Sequence, residues 1–453
     1  MAVTWSRYRS VRDALPPRHY PRTVTEPEPA PEARPGKARP GNVSLAAIVR
    51  DWGRIGCTGF GGPPAHIALL RALCVDRRGW LSAAEFEDGI AATGLLPGPA
   101  STQLAIFCAW RLRGVAGALV GGACFIVPGL VFILGLSALF LAAKPPLLVL
   151  GAAGGAGAAV PAVAAAAATG LAPPGWRRAG TDPGGRAPPA PGGATPPDPP
   201  APNRRARWAV YLAAGAAAAA TIGPWLALVI AACGLIELAA GSRTRPLTGW
   251  PAGPRRPAVM LPALAPSGLA PAATAGGLAA VAWVAFKVGA LSYGGGFVII
   301  PLIQHDAVQG YHWMTNAQFL DAVALGQITP GPVVLTVAAV GYAAHGIGGA
   351  LLATLIAFSP SFAFVIAGGP RFSRLRGSLP VQAFLTGASA AAIGAIAGAT
   401  IPLAHGLTHL WQLAVLALAA AWLLALRRGV VAALTGAAVL GIIAALAGAP
   451  LSR

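Results

Sequence analysis

Charged residues are scarce in this chain of 453 residues: Asp, Glu, Lys and Arg make up 10%, whereas hydrophobic residues make up 55%. A soluble domain carries about 25% charged residues. The shortage excludes an ordinary soluble protein, and most of the apolar runs reach the roughly 17–25 residues that a spanning helix needs. These runs are 114–143, 146–171, 208–241, 346–368, 380–404, 410–426 and 429–449, with interrupted segments at 45–70, 88–110, 275–303 and 318–343.

The motifs of common enzyme classes are also missing. The chain has no GxxxxGK[ST] loop for ATP phosphates, no HExxH, no zinc-spaced Cys/His cluster and no GxSxG elbow. The few cysteines show neither CxxC nor disulfide-framework spacing. We therefore expect a protein that is not an enzyme and that has no metal site and no cofactor.

The net charge is +19, and nearly all of the cations are arginine. In a soluble protein such a charge indicates a nucleic-acid partner. Here the arginines cluster in tails and loops, as the preference for positive cytoplasmic loops predicts. We therefore expect the lipid bilayer as a partner and no nucleic acid.

Proline-rich polar stretches divide the chain. Residues 1–43 contain many Arg, Pro and Glu and no apolar signal-peptide region, so we expect a disordered cytosolic tail. Two further stretches indicate linkers. The predicted organisation is a first repeat core at 44–171, a linker at 172–206, the remaining helices of the first half at 207–241, a linker at 242–273 and a second repeat at 274–453.

The two halves of the chain resemble each other. At a shift of 233 residues, about 53–126 aligns with the second half without a gap. Chance apolar similarity rarely matches tryptophan, aspartate and a Pro-Gly-Pro triplet in one register, so a duplication is predicted. The matched residues include Trp80 with Trp313, Asp88 with Asp321, Phe125 with Phe358, and Pro97-Gly98-Pro99 with Pro330-Gly331-Pro332.

Equivalent loops of the two halves carry opposite amounts of positive charge. Because positive loops face the cytoplasm, this opposition predicts that the halves are inserted upside down relative to each other. In the first contrast, the first half has Arg71, Arg77 and Arg78, whereas the equivalent stretch 304–311 has no Lys or Arg. The other contrasts are Arg111 and Arg113 against Ala344 and Gly346, and Lys144 against Arg371, Arg374 and Arg376.

Glycine and proline interrupt the apolar segments at matching places, in GFGGPP (59–64), LLPGP (95–99), SYGGGF (292–297) and ITPGP (328–332). Inverted repeats with broken helices are typical of secondary transporters, and a half-helix N-terminus at each break suits an anion. The alternative is ordinary kinks and packing glycines. Four breaks in duplicate register favour a substrate site.

Arg54 and Lys287 are cations inside apolar segments, and they also are 233 residues apart. Two such cations suit a small dianion, which arginine can grip with two hydrogen bonds. The alternative is that each side chain extends to the membrane surface. That alternative is more credible for Arg54, which neighbours Arg50 and Asp51.

Several polar residues flank the breaks. Asp88 and Asp321 could carry a coupling proton or cap the helix before each triplet, and capping is favoured because each precedes an apolar run. Single histidines such as His66 and His305 are more often structural. Further candidates for oxyanion hydrogen bonds are Ser101, Thr102 and Gln103 in the first half, whose equivalents Val334, Leu335 and Thr336 mostly lack this ability, with Gln327 and Thr329 as partial compensation.

The combination of FGGPPAHI (60–67), LLPGPASTQ (95–103), SYGGGFVIIP (292–301) and TPGPV (329–333) resembles the chromate ion transporter family in its long, two-domain form, over roughly 45–450. The resemblance implies efflux of chromate across the bacterial cytoplasmic membrane, driven by an ion gradient. Sulfate is a dianion of nearly the same shape. The positions carried over by motif are Phe60, Gly61, Gly62, Pro63, His66, Pro97, Gly98, Pro99, Gln103, Gly294, Gly295 and Gly296.

We therefore predict an all-α polytopic membrane protein with two inverted-topology repeats and Gly/Pro-broken helices. The predicted function is secondary active export of chromate, which confers chromate resistance. The alternatives are a sulfate or other anion transporter of the same fold, a passive anion channel, and a membrane scaffold without transport activity. The sequence leaves a homodimer open.

Overall fold

The computed structural model describes residues 43–94, 96–141, 145–180, 202–221, 225–243, 277–292, 299–368 and 378–451. All regular structure in these ranges is helical. The first half contains α1 (Leu45–Thr58), α2 (Gly62–Arg71), α3 (Ala83–Thr93), α4 (Ala100–Phe140), α5 (Leu147–Gly180), α6 (Pro202–Thr221) and α7 (Leu226–Arg243). The second contains α8 (Leu278–Leu291), α9 (Ile299–Gln304), α10 (Asn316–Ile328), α11 (Thr336–Gly368), α12 (Leu379–His405), α13 (Leu410–Ala420) and α14 (Val430–Leu446).

Helices extend into both ends of the predicted linker 172–206, because α5 ends at Gly180 and α6 begins at Pro202. The described residues exclude the predicted tail, except for its last residue. They also exclude the predicted linker at 242–273, except for its first two residues. Within the described ranges, four helical segments are long and apolar enough to cross a membrane: Ala100–Phe140, Leu147–Arg177, Val333–Gly368 and Leu379–His405. The protein is an all-α membrane protein.

Two of these helices, α4 and α11, contain a sharp turn. Gly114 has φ 59° and ψ −144°, and Gly346 has φ 58° and ψ −148°. Such angles are accessible mainly to glycine. The chain folds back at each turn, because Gly121 lies against Ala109 and Gly341 lies against Ala353. A straight helix would separate such residues by about 18 Å.

Each Pro-Gly-Pro triplet is the tip of a helical hairpin. In the first half, α3 runs antiparallel to the first arm of α4, since Gly89 contacts Phe107 near the middle and Glu85 pairs with Arg111 at the open end. In the second half, α10 packs against α11, and Gly326 near the end of α10 lies against Thr336 at the start of the first arm of α11. In each hairpin the first helix therefore starts, and the second helix ends, at the same open end, and the triplet lies at the opposite end.

The two hairpins begin with the same capping arrangement. Ser82 caps α3 in a capping box with Glu85, and Thr315 caps α10 in a capping box with Gln318. Such boxes satisfy the amides of the first helical turn. The favoured interpretation of Asp88 and Asp321 as helix caps was wrong, because both lie inside their helices and the caps are supplied one to two turns earlier.

The register between the halves changes within the hairpins. The caps and the triplets match at 233 residues, but the two sharp turns match at 232. The expectation of an alignment without a gap was therefore wrong, because the second half lacks one residue between the triplet and the turn. Downstream of this deletion Pro128 corresponds to Pro360, and Phe125 does not correspond to Phe358.

The two halves pack into each other. Helix α5 of the first half packs against α14 and α12 of the second, and α6 and α7 also pack against α12. Glycines permit close backbone approach between membrane helices. Gly151 and Gly155 of α5 lie against Gly441 of α14, and Gly215 of α6 lies against Ala391 of α12.

Candidate functional site

Each hairpin tip is hydrogen-bonded to the opposite half of the chain. The amide of Gly98 donates to the carbonyl oxygen of Ser292 at 2.7 Å, and the amide of Gly331 donates to that of Gly59 at 3.0 Å. Both the donors and the acceptors are 233 residues apart. Each tip glycine thus donates to the residue that is repeat-equivalent to the acceptor of the other tip, which is the reciprocal pattern found at two-fold interfaces.

The predicted helix breaks at 59–64, 96–99 and 328–332 are confirmed. Their glycines adopt angles that favour glycine: φ is 101° at Gly61, 72° at Gly62, 125° at Gly98 and 96° at Gly331. No side chain caps α2, α4 or the 3₁₀ turn that precedes α11. The fourth break contains Gly294, Gly295 and Gly296, which lie outside the described residues.

The first tip is lined by polar side chains. Gln103 Nε2 donates to the carbonyl oxygen of Pro97 at 2.7 Å and so holds the loop in place. A Cβ atom added to Gly98 would lie 3.1 Å from Ser361 Oγ. Among the described residues, four fully or almost fully buried polar atoms of this region have no hydrogen-bond partner: Thr102 Oγ1, Gln103 Oε1, Ser292 Oγ and Ser361 Oγ.

The second tip is lined mainly by apolar groups. Leu335 takes the place beside Gly331 that Gln103 takes beside Gly98, and Gly129 of α4 lies against the carbonyl group of Pro330. The hydroxyl of Thr329 donates within its own helix, to Leu325 at 2.6 Å, and is not free for a ligand. The side-chain nitrogen of Gln327 is buried without a partner in the described part of the chain. The triplet Pro330-Gly331-Pro332 is itself buried.

His66 joins the first break to α4. Its Nε2 lies 2.9 Å from the carbonyl oxygen of Gly59, and its Nδ1 lies 3.2 Å from Ser101 Oγ. Because a carbonyl can only accept, Nε2 carries the proton and Nδ1 accepts from the serine hydroxyl. Both ring nitrogens are thus engaged, in a fully buried side chain. Nearby, Pro63 lies in the first turn of α2, and Phe60 is 43% exposed.

The two predicted cations differ in environment. Lys287 Nζ lies 2.5 Å from Asp306 Oδ2, with side chains 20% and 13% exposed respectively. Arg54 is exposed on α1 and forms no ion pair among the described residues. Sequence reasoning missed Asp306 as the partner of Lys287. The only available signal was an acidic residue in a stretch without cations, and the corresponding residue of the first half is Leu73.

The two matched aspartates also differ. Asp88 is exposed, whereas Asp321 faces α5, where a Cβ atom added to Gly157 would lie 2.8 Å from Asp321 Oδ1. No hydrogen bond or ion pair reaches Asp321 from the described residues. Within those residues no cluster of three His, Cys, Asp or Glu side chains could hold a metal ion.

The chain is similar in sequence to several known proteins. Residues 46–238 and 279–447 match the family described as chromate transporter. A chromate transport protein of Cupriavidus metallidurans is 30% identical over 369 residues, which cover 80% of this chain and 83% of the relative. A chromate transport protein of Pseudomonas aeruginosa is 28% identical, with 82% and 83% covered. A probable chromate transport protein of Synechococcus elongatus is 26% identical, with 81% and 86% covered. No solved structure matches the chain.

Proposed function

The chain belongs to the chromate transporter family, and from that premise we propose that it is a secondary active transporter that exports chromate across the bacterial cytoplasmic membrane and confers chromate resistance. The observation that carries the proposal is the reciprocal pair of hydrogen bonds between the hairpin tips and the opposite halves. Broken helices that meet at a pseudo-two-fold axis are a recurring architecture of secondary transporters.

An inverted arrangement of the halves is supported by the open ends of the hairpins. The open end of the first hairpin carries Arg111 and Arg113, together with Glu85. The corresponding end of the second carries His345 and has no Lys or Arg among its described residues. By the preference for positive cytoplasmic loops, the first hairpin enters from the cytoplasm and the second from outside. The N-terminal tail is then cytosolic.

An anionic substrate is supported by the helix ends at the breaks. An uncapped N-terminus presents free amides and the positive end of a helix dipole, and both favour negative charge. Arg54 and Lys287 add positive charge at pseudo-equivalent positions of α1 and α8. Since Lys287 is paired with Asp306, its charge is partly compensated. Partial compensation suits a transporter, which must bind its substrate weakly enough to release it.

Coupling to an ion gradient requires a group that can change its protonation state. Asp321 is the better candidate of the two matched aspartates, because it faces α5 and has no partner in the described part of the chain. Asp88, at the equivalent position, is exposed. We assign the coupling proton to Asp321.

The test is flux into everted membrane vesicles that contain the protein. The expected result is chromate accumulation that requires a proton gradient and that is absent from vesicles with the double variant Arg54→Ala/Lys287→Ala. Flux that is unchanged after the gradient is collapsed would identify a passive channel. Preferential accumulation of sulfate over chromate would identify a sulfate transporter of the same fold. Intact chromate resistance of a sensitive host carrying the double variant would oppose any role of the two cations in transport.

A further inference from the structure

We infer that the chain has one oxyanion-binding site, at the tip of the first hairpin, and that Ser292 and Ser361 of the second half supply hydroxyl donors to it. The inference rests on the proposed function, which it deepens by naming the residues that hold the substrate. The sequence analysis pointed to both triplets, and although Ser292 begins the break SYGGGF (292–297), it named neither serine as a substrate ligand.

The two serines meet the first tip from different helices. Ser292 follows the last residue of α8, and its carbonyl oxygen accepts the hydrogen bond from the Gly98 amide at 2.7 Å. Ser361 lies in the second arm of α11, with its hydroxyl 3.1 Å from the position that a Cβ atom on Gly98 would occupy. Both side chains have no exposed surface, and neither hydroxyl has a partner among the described residues.

The start of α4 adds donors from the first half. Its N-cap is Pro99, which offers no side-chain hydrogen bond, and the first turn is buried: Ser101 is 2% exposed and Thr102 is not exposed. Buried amides at a helix start require partners, and an anion is a suitable one. The Thr102 hydroxyl likewise has no partner within the described ranges. Residues with unpartnered hydroxyl groups thus come from the first turn of α4, the end of α8 and the second arm of α11, and all three segments meet at or adjoin this loop.

The chemistry of these groups favours an oxyanion over a cation. Amides at a helix N-terminus repel cations through the dipole, and hydroxyl groups can turn to donate to oxygen. The remaining unpartnered atom, Gln103 Oε1, is an acceptor and suits a hydroxyl group or a water molecule, because the amide nitrogen of the same side chain is held by Pro97.

The second tip lacks the corresponding groups. At the positions related by the repeat, Gly59 replaces Ser292 and Gly129 replaces Ser361, and neither has a side chain that can donate. Leu335 lies beside Gly331, and Val333 and Val334 are buried in the turn that precedes α11. Of the unpartnered donors described above, the second tip has only the side-chain nitrogen of Gln327. An oxyanion there would lose most of its hydration without replacement, at a high cost in free energy. The first tip is therefore the more polar of the two.

The experiment measures two quantities on wild-type protein and on Ser292→Ala, Ser361→Ala and the double variant. The first is the KM for chromate in everted vesicles. The second is the Kd of chromate and of sulfate for purified protein, measured by equilibrium dialysis. Loss of one hydrogen bond to a charged ligand changes an affinity by about tenfold. We expect an increase of about this size in KM and Kd for each single variant, a larger one for the double variant, and near-recovery in Ser361→Thr.

Ser137→Ala is the matched control, because Ser137 is also a buried serine whose hydroxyl has no partner among the described residues, but it lies near the far end of α4. It should leave both quantities unchanged, which separates loss of a ligand from loss of a buried hydroxyl. Unchanged KM and Kd in the double variant would overturn the inference, and would show that water satisfies these hydroxyls. A serine-dependent Kd without any chromate flux by the wild type would refute the proposed function and leave the site standing.

Discussion

The carbonyl oxygen of Gly59 accepts a hydrogen bond from the amide of Gly331, with a nitrogen–oxygen distance of 3.0 Å. His66 Nε2 donates to the same oxygen at 2.9 Å, so the break between α1 and α2 is tied both to its own half and to the second tip. The equivalent oxygen in the second half, that of Ser292, receives Gly98 at 2.7 Å. Residue 299, which corresponds to His66, is isoleucine and cannot add a similar hydrogen bond. The two tips are therefore held unequally.

The tip glycines should not tolerate a side chain. Gly98 has φ 125° and Gly331 has φ 96°, and an L-residue in such a conformation is strained by about 1–3 kcal/mol. We expect Gly98→Ala and Gly331→Ala to lower the Tm of the purified protein and to reduce chromate flux. Gly348→Ala is the control, since Gly348 is helical with open space around its Cβ position. If both tip variants retain normal flux and Tm, the tips do not need this geometry.

The Lys287–Asp306 pair can be separated into a structural and a functional part by a double-mutant cycle. Lys287→Ala leaves the carboxylate of Asp306, which is 13% exposed, without its cation, and should destabilise the protein by about 1–3 kcal/mol. Lys287→Ala/Asp306→Ala should recover most of the Tm.

Chromate flux should stay low in that double variant, because the positive charge near the break is still missing. Arg54→Lys, which preserves charge on an exposed side chain, should show a milder defect. Recovery of flux together with stability would show that Lys287 is only a structural partner of Asp306.

Neutralising Asp321 should separate coupling from binding. In Asp321→Asn the side chain cannot exchange a proton, so we expect loss of gradient-driven accumulation with retention of chromate exchange across the membrane at equal concentrations. Asp88→Asn is the matched control, because Asp88 is the equivalent residue and is exposed. Uphill accumulation by Asp321→Asn at the wild-type level would exclude Asp321 as the coupling group.

The inverted arrangement predicts opposite labelling of equivalent surface positions. Asp76 and Gln309 are both exposed and are 233 residues apart. In a Cys57→Ser background, which removes an exposed native thiol, a membrane-impermeant maleimide should label a cysteine at 309 in intact cells. A cysteine at 76 should be labelled only after permeabilisation. Labelling of both positions from the same side would contradict inverted repeats.

The helix breaks could be predicted from sequence because their cause is local. Proline and glycine interrupt helices wherever they occur, and the duplicated triplets marked both tips. The caps Ser82 and Thr315 had local signals too, since each is followed three residues later by Glu85 or Gln318. Asp88 and Asp321 were considered as caps instead because they precede apolar runs. That criterion is weaker than the spacing of a capping box.

The contacts at the tips could not be predicted in this way, since they join residues that are distant in the chain. Ser361 follows the triplets by many residues and lies in an apolar run, where a single serine carries no signal. The boundaries before Gly114 and Gly346 were visible in the hydropathy, since apolar segments end at 110 and 343 and new runs begin at 114 and 346. The tight glycine turns that join these helices were not predicted, because hydropathy does not report backbone angles. The one-residue deletion became visible only when the angles of the two turns were compared.

The close approach of Gly151 and Gly155 to Gly441 has a consequence for biosynthesis. Helix α5 leaves the ribosome long before α14, which is the last helix of the described chain. The surface of α5 at Gly151 and Gly155 therefore stays uncovered while most of the second half is still being translated. Contacts between such distant segments form slowly. A truncation before α14 should therefore yield a protein that inserts into the bilayer and is then recognised by membrane proteases.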